Sequence, residues 1–293
     1  MTRDEAIKKA LSLPCWTDPG SASALGGGIT NHNIRLVDQG RDYVVRVGDD
    51  IPAHQVMRFN ELACHRAAQK VGLSPAVVYA GQGAMAMDFV TGRTLSEADI
   101  CQPDTLARIV PLLRKLHHDG ARALRGPVLT FWVFHVVRDY AARLVDEGSP
   151  HASDMPNLLA TNETLEQAVG PVEMVLGHND LLPANFIDAG DRIWLLDWDY
   201  GGFNAPLFDL AGLASNAGLS SDQEQTLIET YFDRPMTAEL ARRYAAMKCA
   251  SLLRETMWSM VSETHSHIDF DYPAYTAKNR ARFTSALNDF RNL

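Results

Sequence analysis

The stretch LGHNDLLPANF, Leu176 to Phe186, places a histidine, two asparagines and an aspartate among largely apolar residues. Asp180 precedes Asn185 by five residues, and Asp197 follows twelve residues later at the end of the apolar run IWLLDW. Phosphoryl transfer needs one carboxylate at the acceptor hydroxyl, and an amide oxygen and a second carboxylate that hold Mg²⁺ on the phosphates. The spacing therefore predicts a phosphoryl-transfer loop.

The composition is that of an ordinary globular chain. It has 293 residues, of which 46% are hydrophobic and 22% charged, so a disordered or fibrous protein is excluded and one large domain or two lobes are possible. The formal net charge is −9. We expect no nucleic-acid or membrane partner, whereas a cationic small-molecule substrate is compatible with this charge. An acidic surface that serves only solubility is the alternative.

The N-terminus and the cysteines indicate a cytoplasmic protein. The segment MTRDEAIKKALSLP is typical of a short amphipathic helix and not of a signal peptide. No apolar run approaches the roughly 18 residues of a membrane span. The four cysteines form no CxxC pair and are expected to be free thiols in a reducing compartment. The oligomeric state stays open.

The order of patterns predicts an α+β fold with two lobes. NIRLVD and DYVVRVGD read as a β-hairpin, PAVVYA and AMAMDFV as two further strands, and AHQVMRFNELACHRAAQKVG as a helix that stops at Gly72. Residues 1–91 should form a β-rich nucleotide-binding lobe and residues 92–293 a helical catalytic and substrate-binding lobe. Long helices are expected at about 103–119, 130–147, 157–169, 222–233, 236–262 and 273–291.

GHNDLLPANFI, taken with LLDWDYGGFNAPLFDLA, resembles the catalytic core of the choline/ethanolamine kinase branch of the aminoglycoside-phosphotransferase-like superfamily. The resemblance implies a protein-kinase-like fold that uses ATP and Mg²⁺. It makes Asp180 the catalytic base or hydroxyl-orienting residue, and Asn185 and Asp197 the Mg²⁺ ligands. His178 would brace the loop through hydrogen bonds, and a structural histidine is its alternative. Asp209 is expected to be a helix N-cap or a loop brace.

The first lobe should supply the nucleotide site. The glycine-rich LGGGITNHN fits neither a Walker A motif nor GxGxxG, and an ordinary turn is its alternative. Arg46 stands alone on one face of its strand and would grip phosphate oxygens; a solvent-facing arginine is the other possibility. The resemblance pairs it with Glu61, although Glu61 could instead contact His65 within its helix. The expected nucleotide-binding residues are Gly26, Gly27, Gly28, Thr30, Asn31, Asn33, Arg46 and, at the hinge, Asp88, Phe89 and Val90.

The last third of the chain offers aromatic and acidic residues for an acceptor. Choline has no N–H donor on its nitrogen, so its recognition requires aromatic faces and nearby negative charge. Trp258 shares a helical face with Glu255, and many eukaryotic family members have a second tryptophan where Glu255 stands, so the box could favour ethanolamine. For Tyr272 and Tyr275, the alternative is that they are ordinary tyrosines of the core. The expected substrate-binding residues are Asp180, Asp199, Tyr200, Glu255, Trp258, Tyr272 and Tyr275.

Two alternatives remain open at this point. A kinase of the same fold could act on thiamine or on an aminoglycoside, although an aminoglycoside site would need more carboxylates than this segment offers. A catalytically silent nucleotide-binding module is the alternative from another class; it would be expected to have lost Asp180, Asn185 or Asp197, and all three are present.

Overall fold

The sheet of the N-terminal part consists of five antiparallel strands in the order β1-β2-β3-β5-β4. A computed structural model describes residues 1–26, 31–266 and 270–293. The predicted hairpin is confirmed: β2 and β3 are joined by Gln39 and Gly40, both with positive φ (48° and 76°), as a tight hairpin turn requires. The strands are β1 Pro19–Ala24, β2 His32–Asp38, β3 Arg41–Val47, β4 Val77–Gly81 and β5 Ala84–Asp88.

The alternation along β3 (Arg41–Val47) gives the sheet two different faces. Val45 and Val47 are fully buried beneath helix α1 (Arg3–Leu11), together with Ile34 and Leu36. Because successive side chains on a strand point to opposite faces, Arg46 lies on the other face, towards helix α2 (Arg58–Lys70). The expectation that Arg46 faces away from the two valines is therefore confirmed.

Helix α2 begins five residues later than the pattern predicts. Pro52–His54 forms a separate 3₁₀ turn, and Gln55 after it adopts a left-handed conformation that interrupts the helix. Cys64 and Ala68 on α2 belong to the large apolar cluster of the helical part, not to the cluster beneath α1. The helix thus joins the sheet to the rest of the molecule. The division at residue 91 stays a prediction.

The remainder of the chain is mainly helical, and the α+β fold class is confirmed. Each of the six helices expected there is present with shifted ends, and α8 was not among these six. After β5 the elements are β6 Arg93–Thr94, α3 Glu97–Ile100, α4 Pro103–Lys115, a π-turn at Leu116–Gly120, α5 Ala121–Ala123, α6 Val133–Asp146, α7 Met155–Val169, β7 Val175–Gly177, β8 Phe186–Asp188, β9 Ile193–Leu195, β10 Gly202–Asn204, α8 Pro206–Ala217, α9 Ser221–Phe232, α10 Ala238–His265 and α11 Tyr272–Arg291.

Helix α10, with 28 residues, runs through the centre of the helical part and packs on α6, α7, α8 and α11. Two short sheets, β10-β7 and β6-β8-β9, carry the polar loop between them. All four cysteines are free thiols. Within the described ranges, the long helices are too polar for any of them to span a bilayer.

Candidate active site

The polar loop leaves β7 and is held by side chains that point back into it. Asn179 has a φ of 66°, a left-handed conformation that asparagine tolerates. Its amide nitrogen donates to the carbonyl oxygens of Tyr200 at 2.9 Å and Gly202 at 3.2 Å. Asn185 donates from Nδ2 to the carbonyl of Asp180 at 2.9 Å. The loop that carries Asp180 is therefore fixed at both ends by amide side chains.

His178 acts as a brace in this arrangement. Its Nε2 donates to the carbonyl of Leu196 at 2.8 Å, and its Nδ1 accepts from the backbone N–H of Asp180 at 3.3 Å. The ring also packs against Trp198 with centroids 4.6 Å apart. Burial lowers the pKa of His178, so the neutral imidazole is the form that these contacts require. The contacts match the bracing role.

Asp209, on helix α8, also fixes this loop. Its carboxylate accepts from the backbone N–H groups of His178 at 2.8 Å and Asn179 at 2.7 Å. The N-cap alternative is wrong, because Ala205 caps helix α8 and Asp209 lies inside its first turn. His117 donates to Asp209 at 3.0 Å. His117 leaves no local signal in the sequence, since only the π-turn that ends α4 directs it towards a carboxylate 92 residues away.

The predicted metal ligands line one cavity, and their chemistry fits Mg²⁺. Asn185 has its amide nitrogen held by the loop, so its oxygen is the atom left for a ligand. Asp197 is 27% exposed, and its Oδ1 accepts from Arg46 at 2.8 Å. No group of three His, Cys, Asp or Glu side chains gathers as a metal site in the described part of the chain. A sparse set of oxygen donors is what Mg²⁺ uses when phosphates and waters complete its shell.

Arg46 lies at the centre of a buried ionic cluster. Its Nε is 2.8 Å from Oε1 of Glu61, and its Nη2 donates to Asp197 at 2.8 Å and to Asp199 at 2.9 Å. The Nε and Oε1 atoms are close but not aligned as a hydrogen bond, and neither has another partner among the described residues. Burial acts to lower the pKa of Arg46, but Asp197, Glu61 and Asp199 together hold it well above its ordinary value.

A second arginine, Arg58, completes this cluster and was not anticipated. Its Nη1 donates to Glu61 and to Asp199, each at 2.7 Å. Two guanidinium groups therefore face three carboxylates. The alternative contact between Glu61 and His65 is wrong, since the His65 ring is paired with the carbonyl of Pro75 at 2.9 Å.

The cleft between the sheet and the loop holds a cavity of about 410 Å³. The hinge forms one wall, where the N–H groups of Asp88 and Phe89 donate to protein carbonyls. The N–H of Val90 has no acceptor among the described residues. Gly27, Gly28 and Thr30 lie outside the described residues, and Asn31 donates to Asp199 at 3.0 Å. Of the residues predicted to bind the nucleotide or the metal, the following line the cavity: Gly26, Asn33, Arg46, Asp88, Phe89, Val90, Asn185 and Asp197.

The aromatic residues expected at the acceptor gather on one side of Asp180. Trp258, 6% exposed, donates from Nε1 to the hydroxyl of Tyr200 at 2.8 Å. Tyr275 stands edge-on to Trp258, with centroids 6.4 Å apart, and its hydroxyl donates to Glu255 at 2.7 Å. Tyr272, also buried, lies 6.2 Å from the Trp258 ring. Rings and acid thus meet as the sequence pattern predicts.

Asp199 is oriented differently from the expectation of a substrate contact. Its carboxylate engages Arg46, Arg58 and Asn31 on the nucleotide side, and it is 3% exposed. A direct role towards the acceptor stays a prediction, and these contacts favour the nucleotide side.

Arg254 is a cation beside Asp180 that sequence analysis missed. Its guanidinium lies over the ring of Tyr200, 4.3 Å from the centroid, and its Nη1 donates to Glu255 at 2.9 Å. Burial raises the pKa of Asp180 to about 8, and the charge of Arg254 acts against that rise. The sequence signal was only an Arg-Glu pair on a helix, which usually indicates a solvated face.

This arrangement defines a two-lobed phosphotransferase of the protein-kinase-like class: a β-sheet lobe with a cationic cluster, a cleft, and a catalytic loop on a helical lobe. The family model for choline/ethanolamine kinase matches residues 22–285. The chain belongs to the choline/ethanolamine kinase family.

Comparisons with individual proteins agree with this family. Protein LicA of Haemophilus influenzae is 28% identical over 257 residues, which cover 84% of this chain and 75% of that protein. A choline/ethanolamine kinase family protein from Mesorhizobium loti superposes with a TM-score of 0.80 at 27% identity, covering 98% of this chain and 95% of that one. Spectinomycin phosphotransferase shares the fold, with a TM-score of 0.63 at 14% identity over 94% of each chain.

Proposed function

We propose that this protein transfers the γ-phosphate of ATP to the hydroxyl group of a small amino alcohol of the choline or ethanolamine type. The position of Asp180 is the main support. It stands on a loop fixed by His178 and Asp209, five residues before Asn185 on the wall of the cleft cavity, and it lines a small cavity together with Arg254 and acidic Glu255. A carboxylate in that position can contact the hydroxyl of the phosphate acceptor on one side while the phosphate donor lies on the other.

Asp180 would orient the acceptor hydroxyl and accept its proton as the oxygen attacks phosphorus. The reaction places little covalent work on the protein, so positioning and charge neutralisation provide the rate. His178 and Asn179 act by fixing the loop, since their contacts go to backbone atoms near Asp180 and not to the cleft.

Arg46 would hold the phosphate oxygens from the sheet side. Its guanidinium stays charged in any pocket and can donate to two oxygens at once. Glu61 and Arg58 keep it in place through the buried cluster. Gly26 and Asn33 line the same wall. The N–H of Val90, which meets no acceptor within the described residues, is a donor at the hinge that an adenine ring nitrogen could take.

Asn185 and Asp197 are the residues that would hold Mg²⁺. When bound, the ion neutralises charge that develops on the phosphate oxygens. Asp197 also contacts Arg46, so the two positive groups would share one carboxylate. We also propose a cytoplasmic enzyme, on the evidence of composition and free thiols.

The test is phosphate transfer from γ-labelled ATP with Mg²⁺ to choline, ethanolamine, thiamine and kanamycin, side by side with a reaction without acceptor. We expect labelled product with choline or ethanolamine, and only background ATP hydrolysis without acceptor. Turnover of thiamine or kanamycin alone would refute the acceptor class. Nucleotide binding without transfer to any acceptor would point to a catalytically silent module.

A further inference from the structure

Arg254 is a buried cation that covers aromatic faces in the proposed acceptor site. The residue is 4% exposed. Its guanidinium carbon lies 4.3 Å from the centroid of Tyr200 and 5.3 Å from that of Phe131. These distances are within the range of cation–π contacts. One face of the Tyr200 ring is therefore already occupied by a cation of the protein itself.

Glu255, an acid beside these aromatic residues, is also engaged. Its Oε2 accepts from Arg254 at 2.9 Å and its Oε1 from the hydroxyl of Tyr275 at 2.7 Å. The positive charge of Arg254 compensates the negative charge of Glu255. An incoming ammonium group thus meets a weaker attraction than an isolated carboxylate would offer.

Trp258 does not replace the covered ring. One side of its indole packs against His54, with centroids 5.0 Å apart and planes tilted by 31°. Its N–H is used by Tyr200, and Tyr275 approaches it edge-on. A trimethylammonium group has no N–H donors and depends on open ring faces. This conformation leaves few ring faces open to such a group.

Two nitrogen atoms of Arg254 are left for an oxygen atom. Nε and Nη2 are buried and have no hydrogen-bond partner among the described residues. An unsatisfied buried donor is unfavourable, so these groups favour the hydroxyl oxygen of an acceptor or a water molecule beside them. Neither an ammonium N–H group nor a quaternary methyl group can accept from them, so they keep any cationic group away from the Arg254 side of the site. A small cavity next to them is lined by Arg254, Glu255 and Asp180.

We propose that Arg254 is a specificity-determining residue that selects an amino alcohol with a protonated, N–H-bearing amine over a quaternary ammonium alcohol. The inference rests on the proposed function, because it concerns the acceptor of that same site. Arg254 acts by filling the cation position on Tyr200 with the protein's own charge.

The experiment compares kcat/KM for ethanolamine and choline in the wild type and in Arg254→Met. The wild type should prefer ethanolamine. Removing the arginine leaves the charge of Glu255 uncompensated, which strengthens its attraction for both substrates. It also exposes a face of the Tyr200 ring, which favours only choline. The choline-to-ethanolamine ratio should therefore rise about tenfold, the size of one good cation–π contact. Arg242→Met is the matched control, since Arg242 lies on the same helix over the ring of Phe290; its ratio should equal that of the wild type.

The outcomes separate this inference from the proposed function. A wild type that prefers choline, or a ratio in folded Arg254→Met within about twofold of the wild-type value, would overturn the role of Arg254 while leaving the kinase activity in place. Absence of transfer to either alcohol by the wild type would instead remove the proposed function. If Arg254→Met does not fold, the wild-type preference decides alone.

Discussion

Replacing Asp209 with asparagine should loosen the catalytic loop without touching the nucleotide cavity. The carboxylate accepts three hydrogen bonds, from the backbone of His178 at 2.8 Å, from that of Asn179 at 2.7 Å and from His117 at 3.0 Å. Asparagine keeps one oxygen but turns an NH₂ group towards at least one of these donors. Each buried charge-assisted hydrogen bond contributes about 1.5–3 kcal/mol. We expect Asp209→Asn to lower the free energy of unfolding by about 2–4 kcal/mol.

The assay for Asp209→Asn is urea unfolding together with steady-state kinetics. The midpoint should fall with an unchanged slope, which indicates a loss of stability and not of cooperativity. The kcat should fall at least about tenfold because Asp180 is displaced, while the affinity for ADP stays the same. Asp146→Asn is the control, since Asp146 is an exposed carboxylate at the end of α6. A loss below about 1 kcal/mol with normal kcat would refute the bracing role.

Three further changes test other parts of the structure. Arg46→Met should raise the KM for ATP at least about tenfold and lower the free energy of unfolding by about 3 kcal/mol, because Asp197 loses its arginine partner and Arg58 alone remains to compensate Glu61 and Asp199. Gly92→Ala should weaken ADP binding, since its Cβ would lie 2.7 Å from the carbonyl oxygen of Asp188. Burial lowers the pKa of His54 to about 3 and that of His65 to about 4. Each neutral histidine therefore contributes its full stability above pH 6.5. As the pH falls to 5, the free energy of unfolding should decrease by about 2 kcal/mol for each of them.

Each of these predictions has its own contrary result. Arg138→Met breaks a largely exposed ion pair with Glu166 and should leave the KM for ATP unchanged; an equal effect of both arginine variants would contradict the role of Arg46. Gly20→Ala has room for its Cβ, with the nearest atom at 3.6 Å, and should bind ADP normally. A shift of the urea midpoint between pH 7 and about pH 5 that is equal in the wild type and in His54→Gln would contradict the neutral, buried state of His54.

Much of the candidate site could be predicted from the spacing of residues along the chain. The loop with Asp180, Asn185 and Asp197 could be identified because its members lie within eighteen positions of each other. Strand alternation placed Arg46 on a defined face of the sheet, and this inference holds because it depends on backbone geometry alone. Its pairing with Glu61 came from the family resemblance.

The residues that were missed depend on tertiary packing. Arg58 precedes its partner Asp199 by 141 residues, and Arg254 faces Tyr200 across 54 residues, so neither contact leaves a local pattern. His117 required a π-turn to reach Asp209. The start of helix α8 was misplaced, because an N-cap at Asp209 would begin the helix after that residue, whereas it begins at Pro206.

The central claim is that Asp180 serves the acceptor hydroxyl while other groups bind the nucleotide. It is tested most directly by measuring kcat for the preferred alcohol and the dissociation constant for ADP in Asp180→Asn. The account predicts that kcat falls at least about a hundredfold, with ADP affinity within about twofold of the wild-type value. An unchanged kcat, or a loss of ADP binding that accounts for the whole defect, would contradict it.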